Sequence, residues 1–364
     1  MYMKKLNFDF KKYKKKEWLE LIANSLKKGS IEDFLWYVDS KTKGEAFAHR
    51  DDLPADYPPL DAKTKNNEWL TGLDYSLIST GDLNHYMKVH SAFGLQSAII
   101  QITNSSVDLD KMFRGINIEN LDLIFNTSFG IDLILFLENF KDFLDKNQIN
   151  NKKIIFTVRM PINRPFMLME LYKYSILNFP KINFYFKTDR EYSYEPVKYL
   201  TESFDALTDY ISKSNIDKDI LAWYFDKMKI HFFLTENFLT DIAMLRAFKI
   251  VCANYTKAYG ITPKKAKIIT GINHDAFTDD ENNDLIVATV IIMAGAIAGA
   301  YSINPAPKEH GVTDPVNMMR LFLNIQNIMK LESNMTMVRD ALAGSYAIED
   351  LTDKIATAVW KELA

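Results

Sequence analysis

From residue 69 onward, short runs of apolar and β-branched residues alternate with longer segments whose apolar residues recur at helical spacing. Several of the short runs are almost continuously apolar, as strands covered on both faces should be. This alternation predicts repeated βα units around a parallel sheet. The eight predicted strands are WLTGLDYSLIS from Trp69, SAIIQIT from Ser97, LDLIFNT from Leu121, KIIFTVRM from Lys153, INFYFKT from Ile182, KIHFFLT from Lys229, AKIITGI from Ala266 and AYSINPA from Ala300.

Long helical patterns fill the gaps between these strands. Clear examples begin at Gly130, Pro165 and Asn237, and Gly260 is a good C-terminal stop for the third. Eight strands with intervening helices predict an α/β fold, a closed (β/α)8 TIM barrel over residues 66–364, with a doubly wound open sheet as the alternative.

The first 65 residues do not show this alternation of strand and helix patterns and are predicted to form an N-terminal arm of extended and helical segments. Three prolines near its end favour extended backbone over regular packing: Pro54, Pro58 and Pro59. Such an arm docks either on its own barrel or on a neighbouring chain. Its candidate aromatic anchors, for either surface, are Trp18, Trp36, Tyr37 and Phe47.

An uncharged run over residues 285–307 is long enough to resemble a membrane-spanning helix, which needs about 20 apolar residues. Gly295 and Gly299 interrupt it, and the YSINPAP segment from Tyr301 reads as a short strand followed by a proline-broken loop. We therefore expect a buried helix leading into a buried strand.

The charge and cysteine content restrict which binding partners and which cellular compartment are expected. The chain has 44 Lys plus Arg against 47 Asp plus Glu, so its net charge of -3 offers no bulk attraction to nucleic acid or to an anionic membrane. Cys252 is the only cysteine, which excludes an intrachain disulfide and a cysteine-based metal site. The lysine-rich start lacks the apolar core of a secretory signal, and a cytoplasmic protein is expected.

The last forty residues carry a family resemblance. They contain an Asn-x-Gln pair, a Glu-Ser pair, an Asp-x-x-x-Gly-Ser turn and a Glu-x-Leu-Thr helix, in the order found in the barrels of acyl-CoA mutases. This stretch resembles the methylmalonyl-CoA mutase family, with Ala341 standing where the family usually has proline. The matching residues are Asn324, Gln326, Glu332, Ser333, Asp340, Gly344, Ser345, Tyr346, Glu349, Leu351, Thr352 and Trp360.

Three further segments resemble the same family, and they extend the likeness towards both ends of the chain. GEAFAHRDDLP from Gly44 is similar to the arm that precedes the family's barrel, and NFLTDIAMLRA from Asn237 is similar to its sixth barrel helix. The segment from Asp279 to Asn304 resembles its seventh helix and eighth strand. These matches concern the scaffold, which by itself does not establish chemistry.

The family's catalytic features have no match in this sequence. Its catalytic chains hold adenosylcobalamin between the barrel mouth and a separate domain whose Asp-x-His-x-x-Gly motif supplies a histidine to cobalt. None of the six histidines here has that context, so the resemblance implies a small-subunit-like barrel without the cobalamin-binding domain. The family's Thr-Ile-Arg-Gln-Tyr-Ala-Gly-Phe, Ser-Gly-Tyr-His and Arg-Thr-His-Ser-Gln-Thr runs are replaced by EWLTGLDYSL from Glu68, KTDREYSYEP from Lys187 and KIITGINHDAFT from Lys267.

Sequence reasoning therefore predicts no catalytic residue and no metal ligand on this chain. Polar residues that follow the predicted strands are expected at the C-terminal face of the barrel, where they either line a remnant ligand pocket or form an ordinary charged rim. These low-specificity candidates are Arg159, Asp189, Arg190, Glu236, His274 and Asn304.

The preferred hypothesis, implied by the resemblance, is a non-catalytic small subunit of an adenosylcobalamin-dependent isomerase. A large partner subunit would complete the heterodimer, bind the cobalamin and interconvert methylmalonyl-CoA and succinyl-CoA. One alternative is a catalytic acyl-CoA mutase barrel that uses a cobalamin domain from a separate chain. Another is an acyl-CoA-binding barrel without chemistry.

Overall fold

The computed structural model describes residues 13–26, 30–38, 42–45, 47–53, 66–128, 130–160, 164–187, 195–308 and 311–364. The three prolines predicted to extend the arm lie outside these ranges, as do two of the candidate rim residues, Asp189 and Arg190.

The described part of the arm contains one α-helix, two short 3-10 helices and one small sheet. Helix α1 spans Lys15–Ser25, and the two-residue strands β1, Trp36–Tyr37, and β2, Lys43–Gly44, pair antiparallel. Trp36 lies over Gly44, where a Cβ atom would come within 2.0 Å of the indole ring. The glycine therefore allows the indole to lie flat against the strand backbone.

Aromatic contacts hold the arm to the last helix of the same chain, α11, which spans Tyr346–Leu363. Trp18 stacks on Phe47 with ring centroids 4.4 Å apart, and His49 continues this row to Tyr346 at 6.3 Å. Tyr37 is different, because 64% of it is exposed. Trp18 and Phe47 thus pack within the chain, whereas Tyr37 faces solvent.

Eight parallel strands close into a barrel in the order β10-β3-β4-β5-β6-β7-β8-β9. The two-residue strand β10 completes the circle, since Ser302 is paired with Leu70 of β3 on one side and with Ile269 of β9 on the other. All eight predicted strands and the closed barrel are confirmed, and the open sheet is excluded. The strands are β3 Leu70–Asp74, β4 Ser97–Ile102, β5 Asp122–Thr127, β6 Phe156–Arg159, β7 Ile182–Lys187, β8 Met228–Leu234, β9 Lys267–Ile272 and β10 Ser302–Ile303.

Helices surround the barrel, as the spacing of apolar residues predicts. They are α2 Leu83–Ser91, α3 Leu109–Met112, α4 Leu133–Lys146, α5 Met167–Asn178, α6 Pro196–Ser214, α7 Lys218–Lys227, α8 Phe238–Ala258, α9 Glu281–Ile297 and α10 Pro315–Leu331, followed by α11. Alternate strand residues such as Leu123, Phe125 and Phe156 join the large core beneath these helices. The strand residues that alternate with these point to the barrel axis.

The uncharged run forms α9 and then β10, as expected. Gly295 lets α9 approach the sheet closely, because a Cβ atom there would lie 2.8 Å from Thr270 Oγ1 of β9. No helix among the described ranges is both long and apolar enough to span a bilayer.

Two residues of the C-terminal resemblance tie the outer helices to other parts of the scaffold. Gln326 is fully buried on α10, where its Nε2 donates to Gly72 O at 3.0 Å and its Oε1 accepts from Gly72 N at 3.4 Å. Glu349 on α11 accepts a 2.7 Å hydrogen bond from Arg246 on α8, and Asp340 lies 3.1 Å from the same guanidinium. These motif residues are therefore structural, since each connects distant elements of the scaffold.

Candidate functional site

A hollow of about 280 Å³ lies at the C-terminal mouth of the barrel. Its lining comes from the ends of several strands and the loops that follow them, which is where barrel proteins carry their binding groups. The lining includes Asp74, Lys187, Phe233, Asn273, His274 and Asn304.

A hydrogen-bonded network forms another part of the mouth. Asn126 is at its centre: its Oδ1 accepts from the Tyr185 hydroxyl at 2.7 Å and from Arg159 Nη1 at 3.5 Å. Its Nδ2 donates to Gln101 Oε1 at 2.7 Å, and Gln101 in turn donates to Ser128 Oγ at 2.8 Å. The network fixes these polar groups within the chain, so Arg159 is only 8% exposed.

Asp74 and Lys187 give the hollow opposite charges. Burial raises the pKa of the Asp74 carboxyl, and the effect is opposed by its hydrogen bonds with Ser76 and by the nearby positive charges of Lys187 and His274. Lys187 also lies over the Phe233 ring, with its Nζ 4.9 Å from the ring centroid. The mouth therefore combines a buried carboxyl with a cation held against an aromatic face.

His231 lies inside the barrel below this hollow and is 2% exposed. Among the described atoms, neither of its ring nitrogens has a hydrogen-bond partner, and the ring centroid is 4.4 Å from that of Phe233. Gly271 leaves room for it, because a Cβ atom there would be 3.0 Å from His231 Nε2. Burial, assisted by Lys187, holds the pKa of His231 well below 6.5, so the imidazole is neutral at pH 7.

Side chains fill the barrel axis beneath the mouth. Four of them form an apolar cluster separate from the outer core: Ile99, Ile124, Tyr185 and Ile269. Closer to the N-terminal ends of the strands, Lys229 Nζ and Asp122 Oδ2 form a 2.6 Å ion pair whose side chains are 0% and 4% exposed. Lys229 also lies 4.3 Å from the centroid of the Tyr301 ring. The described strands thus enclose a packed interior, as in other small parallel barrels.

The comparisons with known proteins agree on one family. The model of the methylmalonyl-CoA mutase family matches residues 208–364, which include β8 to β10 and the helices α8 to α11. The C-terminal part of the chain is therefore similar to the methylmalonyl-CoA mutase family. The residues that bind Gly72 and Arg246, namely Gln326 and Glu349, both lie inside the matched range.

Curated relatives extend the match over the rest of the chain. The methylmalonyl-CoA mutase small subunit of Porphyromonas gingivalis is 25% identical over 98% of this chain and 63% of its own length. The small subunit of Propionibacterium freudenreichii subsp. shermanii is 26% identical over 38% of this chain and 22% of its own length. The methylmalonyl-CoA mutase of Escherichia coli is 27% identical over 35% of this chain and 19% of its own length. This chain thus spans less than two thirds of the length of each of these relatives.

Among solved structures, an active domain of a chitinase from Pyrococcus furiosus aligns with 73% of this chain and 98% of its own. The TM-score is 0.41 and the identity is 11%.

The structure brings three of the predicted rim residues to the mouth. Asn304 and His274 line the hollow, and Arg159 belongs to the adjoining network. Glu236 lies in the loop after β8, where it is exposed and does not line the hollow.

Sequence reasoning missed Asp74, Lys187 and His231, which also lie at or below the mouth. A signal for them was present, because each sits at an inward position of a strand whose alternate residues are apolar. Among the described ranges, no group of three or more His, Cys, Asp or Glu side chains could hold a metal ion.

Proposed function

We propose that this chain is a non-catalytic small subunit of an adenosylcobalamin-dependent methylmalonyl-CoA mutase. In this proposal a larger partner subunit binds the cobalamin and interconverts methylmalonyl-CoA and succinyl-CoA. The observation that carries the proposal is the likeness to a methylmalonyl-CoA mutase small subunit over 98% of this chain, and the filled barrel axis agrees with it. A barrel relieved of catalysis keeps the packing residues that shape its outer surface, while its interior is free to fill with side chains.

The ion pair on the axis argues against an acyl-CoA channel through the barrel. A CoA ester threaded along the axis would have to displace the isoleucine cluster and separate Lys229 from Asp122. Leaving one of two buried partners unpaired costs about 3–5 kcal/mol. Binding of a long ligand there would have to offset that cost, which favours scaffolding over a channel.

The histidines near the mouth do not fit a cobalt ligand, which supports placing the cobalamin on the larger subunit. His231 is enclosed under Phe233, and the ring of His274 stacks on Phe277 with 18° between the planes. His231 is therefore closed off from the mouth, and none of the six histidines has the family's Asp-x-His-x-x-Gly context. No step of the reaction is therefore assigned to residues of this chain.

The arm offers a surface for the larger subunit. Helix α1 has no buried residue, although it carries the apolar Leu21, which is 67% exposed. Two further apolar side chains of the arm, Phe34 and Tyr37, are 54% and 64% exposed. The stacked rings of Trp18 and Phe47 already hold the arm in place. A partner that binds these exposed residues therefore does not have to offset the entropy of ordering the arm.

Purification of the complex tests the proposal. We expect this chain to copurify with a larger, corrinoid-containing subunit, and Tyr37→Ser to weaken that association at least fivefold. The control is Leu177→Ser on α5, which also removes an exposed apolar side chain, 74% exposed, and should leave association unchanged. A chain that stays monomeric in the presence of the larger subunit would refute the proposal.

Turnover separates the proposal from a catalytic barrel. Mutase activity of the assembled complex should be unchanged in Arg159→Gln and His274→Ala variants of this chain. The catalytic alternative, in which a separate chain lends its cobalamin domain, predicts that these variants lose most of the activity. Such a loss, with assembly intact, would favour that alternative.

Ligand binding at the mouth without chemistry is a second candidate function. It is favoured by the hollow itself, where Lys187 faces Asp74 above the unpartnered nitrogens of His231. Arg159, His274 and Asn304 would be its further contacts. Calorimetry of the isolated chain with CoA esters tests it: micromolar binding that Asn304→Ala weakens supports a ligand site, and no heat of binding supports scaffolding alone.

A further inference from the structure

A second hollow lies at the opposite end of the barrel, outside its wall. It occupies about 390 Å³ between α7 and α8, over the first residues of β8 and β9. Its walls are mostly aliphatic or sulfur-containing side chains, which gain little from contact with water. They include Ala222, Phe225, Met228, Ile230, Cys252 and Ile261.

The rim of this hollow is positively charged. Four lysines and two aspartates line it, namely Lys218, Lys264, Lys265, Lys267, Asp219 and Asp226. Lys264 and Asp226 satisfy each other in a 2.5 Å ion pair. The Lys267 ammonium points to the inner side of the barrel wall, where its Nζ donates to Asn183 Oδ1 at 3.4 Å and lies 5.6 Å from the centroid of the Tyr301 ring. Lys218 and Lys265 are therefore left with a single aspartate, Asp219, so the rim carries a net positive charge and attracts anions.

Lys218 stands beside the end of α8, where the chain turns away from the helix. Gly260 has a φ of +69°, and a Cβ atom on it would lie 2.8 Å from Lys218 Nζ. The glycine thus leaves space for the ammonium at the rim, next to the apolar wall formed by Ile261.

We propose that this hollow binds a free medium-chain fatty carboxylate, with the acyl chain in the apolar hollow and the carboxylate at the lysine rim. The volume is within the range of small-molecule sites. The ligand matches both parts of the site, because the wall removes methylenes from water and the rim supplies cations. The proposal is independent of the small-subunit function, since it concerns the other end of the barrel.

The aromatic side chains argue against a nucleotide in this hollow. Trp223 would be the stacking surface, but its ring is already in edge contact with Tyr172 at 5.0 Å and with Phe184 at 5.2 Å. The thiol of Cys252 is also unreactive, since burial raises its pKa to about 12. The wall therefore acts by apolar contact, and the complex is non-covalent.

Titration calorimetry of the full chain with butyrate, hexanoate and octanoate tests the proposal. Each added methylene should tighten binding about fourfold until the hollow is full. Octanamide, which keeps the chain but lacks the charge, should bind at least fivefold more weakly than octanoate. Equal affinities for the acid and the amide would overturn the role of the rim.

Matched variants locate the site. Ala222→Leu should fill the hollow and reduce octanoate affinity at least tenfold, while an unchanged thermal midpoint shows that the chain still folds. Lys218→Gln should weaken octanoate two- to fivefold, whereas Lys257→Gln, an exposed lysine on the last turn of α8, should not. If Lys187→Gln at the mouth removes binding instead, or if octanoate does not bind at millimolar concentration, the proposal is wrong.

Discussion

Replacing Lys229 by methionine should destabilise the protein strongly, because it leaves the Asp122 carboxylate without its cation inside the barrel. The two charged atoms are 2.6 Å apart, and the side chains are 0% and 4% exposed. After the substitution, that carboxylate keeps the Thr157 hydroxyl at 3.5 Å and the Tyr301 hydroxyl as hydrogen-bond partners, neither of which carries a positive charge. Breaking a buried pair from one side costs about 3–5 kcal/mol, a large share of the 5–15 kcal/mol typical of a folded domain.

The free energy of unfolding in urea measures this loss. The control is Lys213→Met, which breaks a pair of similar length, 2.7 Å to Asp209, on the surface of α6 and should cost about 0.5 kcal/mol. Adding Asp122→Val to Lys229→Met should recover at least about 2 kcal/mol, because the buried charge is then gone.

Acid provides a second check on the same variant. An unpaired buried carboxyl has a folded-state pKa above the unfolded value of about 3.9. The defect of Lys229→Met is therefore full at neutral pH and shrinks as the pH falls through that raised pKa. At neutral pH, a loss no larger than that of Lys213→Met would refute the buried pair and with it the argument from a filled axis.

Three further predictions concern other buried positions. Arg246→Met should lower the free energy of unfolding by about 3–5 kcal/mol, because it removes the guanidinium that pairs with the Glu349 carboxylate, which is only 2% exposed. Since burial holds the pKa of His231 well below 6.5, stability should fall as the pH drops below about 6.5, and His231→Phe should reduce that slope in urea titrations. Gly72→Ala places a Cβ 2.9 Å from a backbone oxygen and should lower the urea midpoint, whereas Gly81→Ala, whose nearest neighbour is 3.6 Å away, should not.

The strands were predictable because a parallel barrel covers both faces of its sheet. Runs such as LDLIFNT have no room for a polar face toward solvent, and β5 occupies Asp122–Thr127 within that run. The two-residue length of β10 was not predicted, and it has a different cause. Its predicted segment AYSINPA contributes only Ser302 and Ile303 to the ladder, because Pro305 and Pro307 have no backbone N–H to donate.

The family likeness was also readable in the sequence, because the motif residues occur in a fixed order along one stretch. The structural role of these residues could not be predicted from the sequence. Gln326 binds Gly72 and Glu349 binds Arg246 across separations of 254 and 103 residues. Such contacts depend on the closure of the barrel and leave no local pattern.

Local sequence patterns are enough to predict the alternation of strands and helices, the lack of a net charge that would attract polyanions, and the likeness of the scaffold to one family. These properties follow from composition, from the two-residue and 3.6-residue periods, and from residue order. The side chains that fill the barrel axis are fixed instead by the closure of the sheet. Lys229 and Asp122 are ordinary polar residues at the starts of two distant strands, and they become a buried pair because the closed sheet turns both side chains inward.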